Sequence, residues 1–288
     1  MRYGICLLPD MPWAEAKPLW QQAEQMGFDH AWTYDHLVWG GLPDARWFGC
    51  LPTLTAAAAA TSTLKIGSYV ISPNFRHPVA LSRELQTLVD ISDGRLIVGL
   101  GVGGTPDDGI LGQPALSVGE RVNRFQEFVR LLERTLVDDH VTFDGDHYSA
   151  RDMRLVGGPV RPRLPLILAG DGPRQIRFAA REGDGWVTQG AYGTATLDEW
   201  FAQAKQRRDL MVAAAHDAGR PQVPDSYLNL DSAPIKALSS VDAWDEITGR
   251  AAETGYTDVI VHRPRTTEPH RGDVTILEKI AERGLAAP

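Results

Sequence analysis

Arg95-Leu-Ile-Val-Gly-Leu-Gly-Val-Gly-Gly104 is an apolar run that ends in glycines, and its reading decides the fold. The turn signal Ser92-Asp93-Gly94 precedes it, and a short apolar run without polar alternation suits a parallel strand covered on both faces. Gly101, Gly103 and Gly104 leave the carboxyl end of that strand without side chains, so a ligand or another backbone can approach closely. In parallel α/β folds, sites are built at that end of the sheet. A structural bulge or barrel bend uses glycines in the same way, so this stretch alone leaves both readings open.

Working outward, strand and helix signals alternate through the whole chain. Arg2 to Leu8 reads as a strand, Trp13 to Met26 as an amphipathic helix closed by Gly27, and Phe28 to Tyr34 as a second strand. An Ala-rich helix (Leu51 to Thr61), a β-branched strand (Leu64 to Ser72) and a helix (Pro78 to Ile91) follow, which makes the glycine-ended strand the fourth. The next helix, Gly119 to Val137, carries Val122, Phe125, Val129, Leu132 and Leu136 on one face. Val141 to Val156 interrupts the alternation, with a turn at Asp144-Gly145-Asp146 that suggests a small hairpin, and ends in the loop Gly157 to Pro165. Strands at Pro165 to Ala169, Trp186 to Gln189, Tyr227 to Ser232 and Thr257 to His262 alternate with helices at Pro173 to Glu182, Leu197 to Ala218, Val241 to Thr254 and Val274 to Arg283. Eight βα units without an obvious linker predict a single-domain (β/α)₈ TIM barrel over residues 1–288. A doubly wound sheet is the competitor, but it would place a phosphate fingerprint after the first strand, and Leu7-Leu-Pro-Asp10 has none.

Composition narrows the function classes. Hydrophobic residues make up 43% and charged residues 23%, as in ordinary soluble globular proteins. A net charge of −8 argues against a nucleic-acid surface. No stretch reaches the ~18 apolar residues of a membrane span, and the apolar run after Met1-Arg2 is too short for a signal peptide, so a cytoplasmic location is expected. Cys6 and Cys50 have no metal or disulfide spacing, and Cys6 reads as a small buried hydrophobe. Arg far outnumbers Lys and Ala is abundant, the pattern of a GC-rich bacterial genome.

In a barrel, the residues after each strand converge on one face. These are Pro9-Asp10, Asp35-His36 with Trp39 beyond, Ser72-Pro-Asn74, Gly101 to Thr105, Gly170-Asp-Gly172, Thr188-Gln-Gly190, Asp231, and His262-Arg263. His36 is the candidate for acid–base work, because imidazole titrates near neutral pH; a histidine there could equally cap a loop. Trp39 could stack on a planar ring or pack against its own loop. Ala169-Gly-Asp-Gly-Pro173 offers backbone N–H groups and a helix N-terminus to an anion, although Asp171 would repel phosphate if it pointed inward. No metal set is expected, since His30, His77, His140, His147 and His216 are scattered over helix ends, loops and surface-like segments.

Taken in order, several segments resemble the bacterial-luciferase-like family of flavin- and deazaflavin-dependent oxidoreductases. They are Glu24-Gln-Met-Gly-Phe-Asp29 leading to Asp35-His36, Ala58 to Gly67, Arg76-His-Pro78, Leu88 to Leu96, Gly99-Leu-Gly-Val-Gly103, Ala169 to Pro173 and Ala179 to Trp186. The resemblance implies a homodimeric TIM barrel that binds coenzyme F420, or alternatively FMN, and a small-molecule substrate at its carboxyl end. It implies a bulge with a non-prolyl cis peptide near Tyr69-Val70 behind the coenzyme ring. Asn74, Gly103, Gly104, Gly170, Asp171, Gly172 and Pro173 would line the path of the phosphate-bearing tail. His36, with Asp35, would act as the catalytic proton donor or acceptor, and Trp39 would contact substrate. Sugar-phosphate dehydrogenases of the family carry Glu directly after the Gly-x-Gly of the fourth strand; here Gly104 and then Thr105 stand in that place, which speaks against sugar-phosphate oxidation. The expected reaction is hydride transfer between F420 and a small organic molecule, with an FMN-dependent monooxygenase as the alternative and a non-catalytic flavin-binding relative as a third reading. The Arg-rich composition leans toward the deazaflavin.

Overall fold

The computed structural model describes residues 1–104, 107–158 and 163–286. Thr105 and residues 159–162 of the predicted loop lie outside the described residues. The first half runs β1 (Arg2–Cys6), α1 (Trp13–Gln25), β2 (His30–Thr33), α2 (Cys50–Ala60), β3 (Lys65–Ile71), α3 (Pro78–Ile91), β4 (Leu96–Leu100), α4 (Asp107–Ile110) and α5 (Val118–Val137). A hairpin of β5 (Val141–Asp144) and β6 (Ser149–Met153) follows. The second half runs β7 (Leu166–Ala169), α6 (Pro173–Glu182), β8 (Gly185–Thr188), α7 (Leu197–Asp217), β9 (Asp225–Asn229), α8 (Val241–Glu253), β10 (Asp258–His262) and α9 (Val274–Arg283). Eight strands close in the order β1-β10-β9-β8-β7-β4-β3-β2, all neighbours parallel. This is the predicted (β/α)₈ barrel, and the antiparallel β5–β6 pair is the excursion outside it.

Strand periodicity sorts side chains into two cores. Cys6, Trp32, Tyr69, Ile97, Ile167, Val187, Tyr227 and Ile260 fill the barrel interior. Their sequence neighbours, such as Ile5, Leu7, Val98, Leu166, Val259 and Val261, pack outward beneath the helices. The barrel floor is polar: Asp258 takes Arg2 through two bonds of 2.8 and 2.6 Å and His30 Nε2 at 3.0 Å, while Trp32 Nε1 donates to His30 Nδ1 at 2.6 Å. His30, expected among scattered surface-like histidines, is therefore a buried floor residue.

The helices follow their sequence signals. Ser117 and Glu120 form a capping box for α5, and all five apolar residues predicted for its face are buried. His77 caps α3 and Pro78 occupies its first turn. Glu24 ties two of the recognised segments together: its Oε1 accepts from the amides of Ser62, Thr63 and Leu64 at 2.6–2.9 Å. The hairpin turn is held from outside, by Glu127 accepting from the amides of Asp146, His147 and Tyr148. Among the described residues, no helix is long and apolar enough to cross a membrane.

Candidate active site

The glycine-ended strand meets β3 across a break in register between Ser68 and Ile71, and the Tyr69–Val70 peptide within that bulge is cis, at the place the resemblance implies. Gly99 sits tightly against the bulge, because a Cβ there would lie 2.2 Å from Ser68 O. Past the strand, Gly103 has φ +75°, and a Cβ would meet Asn74 Oδ1 at 2.2 Å. Buried Asn74 fixes this loop: its Nδ2 donates to Gly104 O at 2.8 Å, and its Oδ1 accepts from Arg124 at 2.9 Å.

Gly170 is packed against Gln175, whereas a Cβ on Gly172 would meet nothing. Gly172 and Pro173 open α6, whose N-terminus no side chain caps. Asp171 Oδ1 accepts from Thr188 Oγ1, and from Gln189 N at 3.3 Å. Three buried donor atoms near these glycines, Arg121 Nε, Arg124 Nε and Gln175 Nε2, have no hydrogen-bond partner. Arg121 itself donates to Gly103 O at 3.3 Å. Unpaired buried donors beside an uncapped helix start suit an anionic tail.

His36 follows β2, with its side chain 31% exposed. Its Nδ1 lies 2.8 Å from Asp107 Oδ2, and Asp107 Oδ1 accepts from the amides of Leu37 and Val38 at 3.0 and 3.3 Å. Burial alone would raise the Asp107 carboxyl, but the His36 contact and the two amides outweigh it and hold the group below its ordinary value. His36 Nε2 has no hydrogen-bond partner among the described residues.

Asp35, expected to share the catalytic role, is instead buried in a two-bond pair with Arg76, both bonds 2.7 Å. The carboxylate on His36 comes from Asp107, which sequence reading missed. Asp107 opens the short helix α4, a few residues past Gly104.

The mouth is aromatic. Tyr34 contacts the rings of His36, Trp39, Tyr69 and His262 with centroids 5.1–6.0 Å apart. Trp39 is stacked parallel to His270 at 6.2 Å and packs on Trp47 at 5.8 Å, so its loop folds back over the opening. The Tyr69 hydroxyl accepts from Gln189 at 3.2 Å. Asp231, His262 and His270 also come together here, with His262 Nδ1 2.7 Å from Asp231 and the two imidazoles stacked at 3.7 Å. Sequence reading placed Asp231 and His262 at neighbouring strand ends but gave no sign of His270, which arrives on a loop.

These features set a histidine–carboxylate pair, His36 and Asp107, and a glycine-ended strand at the carboxyl end of a parallel barrel. The chain belongs to the luciferase-like monooxygenase family, whose model matches residues 1–283. It is 36% identical over 274 residues to an F420-dependent glucose-6-phosphate dehydrogenase of Beutenbergia cavernae, covering 92% of this chain and 77% of that protein. It is 28% identical over 256 residues to an F420-dependent hydroxymycolic acid dehydrogenase of Mycobacterium tuberculosis, covering 87% of this chain and 66% of that one. A solved F420-dependent secondary alcohol dehydrogenase, in complex with an F420-acetone adduct, superimposes with a TM-score of 0.84 at 18% identity, covering 100% of this chain and 99% of its own.

Proposed function

We propose that the protein is a cytoplasmic, homodimeric oxidoreductase that moves a hydride between coenzyme F420 and the carbinol or carbonyl carbon of a small organic substrate. The observation that carries this reading is the His36–Asp107 pair at the carboxyl end of the barrel, with His36 Nε2 unengaged. Likeness to dehydrogenases named as F420-dependent supports the deazaflavin over FMN.

The residues present fit such a coenzyme. The β3 bulge at Tyr69-Val70 and the open strand end would seat the ring. Gly103, Gly104 and the start of α6, with the unpaired donors of Arg121, Arg124 and Gln175, would hold the anionic tail. When bound, the deazaflavin accepts or supplies the hydride. Asp107, kept ionised, accepts the proton on His36 Nδ1 and so fixes the tautomer with a basic Nε2. In oxidation, Nε2 takes the hydroxyl proton as the hydride leaves the same carbon; in reduction, it returns that proton to the carbonyl oxygen. Tyr34, Trp39 and Trp47 exclude water from the reacting carbon. The Glu expected after Gly103 for sugar-phosphate oxidation is not required for this step, because Asp107 supplies the carboxylate beside His36.

Titration with F420 and with FMN, followed by fluorescence quenching, tests the reading: F420 should bind, and binding of FMN alone would sink it. His36→Ala should lower turnover by about 10²- to 10⁴-fold while leaving F420 affinity nearly unchanged; unaltered turnover would refute the assignment. Light scattering should give twice the chain mass of 31.6 kDa.

A further inference from the structure

We propose that the cavity between α1, α2 and the carboxyl ends of β1 and β10 is a second ligand site, which takes a small organic acid consisting of an apolar ring or short chain and one carboxylate. The cavity measures about 230 Å³ and has apolar walls, including Leu19 and Trp20 from α1 and Pro52 and Ala56 from α2. A cavity of roughly 150 Å³ accepts benzene, so this one accommodates a ring with a short polar arm. A mostly apolar pocket with a few convergent polar groups is the usual form of a small-molecule site.

The polar end is built from Asp10, Arg263 and Arg265. Asp10 and Arg265 form an ion pair, yet Asp10 Oδ1 and Arg265 Nε are buried without a partner. Arg263 is in none of the ion pairs among the described residues. Among the described residues its side-chain bonds are to Pro264 O at 3.4 Å and Gln22 Oε1 at 3.5 Å, at the limit of hydrogen bonding. Burial pushes this guanidinium below its ordinary range, with Glu278 offering partial compensation. Among the groups that line the cavity, Asp10, Arg263 and Arg265 sum to one positive charge, and Glu278, which acts on Arg263, is not one of the lining residues. A neutral ligand would leave that charge unpaired, and a cation would be repelled; a monoanion pairs with Arg263 while its body fills the apolar end.

The site is distinct from the coenzyme cleft. Leu7 of its wall packs in the outer core, and Cys6, whose side chain faces the barrel interior, borders the cavity at its inner end. The Arg263 amide donates to Cys6 O at 3.0 Å, continuing the β1–β10 wall beyond its last paired residues. None of His36, Asn74, Gly103 or Gly172 lines it.

Calorimetric titration of the full chain with 3-phenylpropionate and with 3-phenylpropan-1-ol tests the proposal. The acid should bind one to one, at least about tenfold more tightly than the alcohol, the worth of a charge-assisted hydrogen bond. Arg263→Gln should bring the acid down to the alcohol's affinity without changing the alcohol. Ala56→Phe should abolish binding of both by filling the cavity, and Ala16→Leu, from the facing helix, serves the same purpose if the first variant does not fold. Saturating F420 should leave the acid titration unchanged. Equal affinity for acid and alcohol, no binding of either, an Arg263→Gln variant that binds the acid normally, or displacement of the acid by F420 would each overturn the proposal. Because acid binding is read without turnover, its outcome is independent of whether the hydride-transfer reading stands.

Discussion

A histidine exchanges protons with substrate in a defined direction only when its second ring nitrogen is committed elsewhere, and Asp107 makes that commitment for His36. Asp107→Asn keeps the shape but allows the amide to donate to Nδ1, which favours the tautomer with its proton on Nε2. Turnover should then fall by about 10²-fold or more, with F420 affinity altered little. Steady-state kinetics beside a coenzyme titration would check this, and normal turnover would remove Asp107 from the mechanism. At this scale the sequence showed only half of the pair. His36 stood out because it follows a strand, and Asp35 drew attention by adjacency. Consecutive residues leaving a strand point to opposite sides, and Asp35 accordingly meets Arg76 on α3's side of the loop. Asp107 is 71 residues from His36, a partnership that no local spacing announces.

Among the elements, β3 and β4 form the wall on which the cleft is built, and their fit depends on Gly99. A Cβ there would lie 2.2 Å from Ser68 O and 3.0 Å from Val70 Cγ1, so the strands would have to part at the bulge. Gly99→Ala should destabilise the fold by about 1–3 kcal/mol and weaken coenzyme binding; an unchanged urea midpoint would show that the wall yields more easily than its geometry implies. The strands were legible because buried parallel strands are continuous apolar runs. Helix α4 was not, since four residues from Asp107 to Ile110 are too few to display a period. The sequence predicts a seventh strand from Tyr227 to Ser232, whereas β9 stops at Asn229 and Leu230–Ser232 turns as a 3₁₀ segment that sets Asp231 facing His262.

Taken whole, the molecule closes its barrel by bringing β10 beside β1, and this assembles groups that the chain keeps far apart. Burial opposes charge on His262, but Cys6 and Asp231 outweigh it and raise the imidazole from 6.5 to about 10. His270, half-buried and stacked on that charged ring, is lowered from 6.5 to about 4, desolvation leading and the charge of His262 adding to it. The stabilising contribution of His262 is thus complete below pH 6.5 and lost as the pH rises toward about 10. His270 acts in the opposite sense: stability falls as the pH drops from 6.5 toward about 4, where the unfolded ring takes a proton that the folded one refuses. Urea midpoints across pH should peak near 6.5, and Asp231→Asn should flatten the alkaline limb; a parent profile level from 6.5 to about 10 would contradict the assignment. The barrel and the places of His36 and the glycines after its strands follow from sequence alone, because periodicity, turn residues and strand-end position are local properties. Only the tertiary structure decided which carboxylate serves His36, that His270 joins Asp231 and His262, and that Arg263 has an apolar cavity in front of it. Those pairings depend on the closure of the sheet and the path of the loops, which fix distances between residues that no sequence spacing encodes.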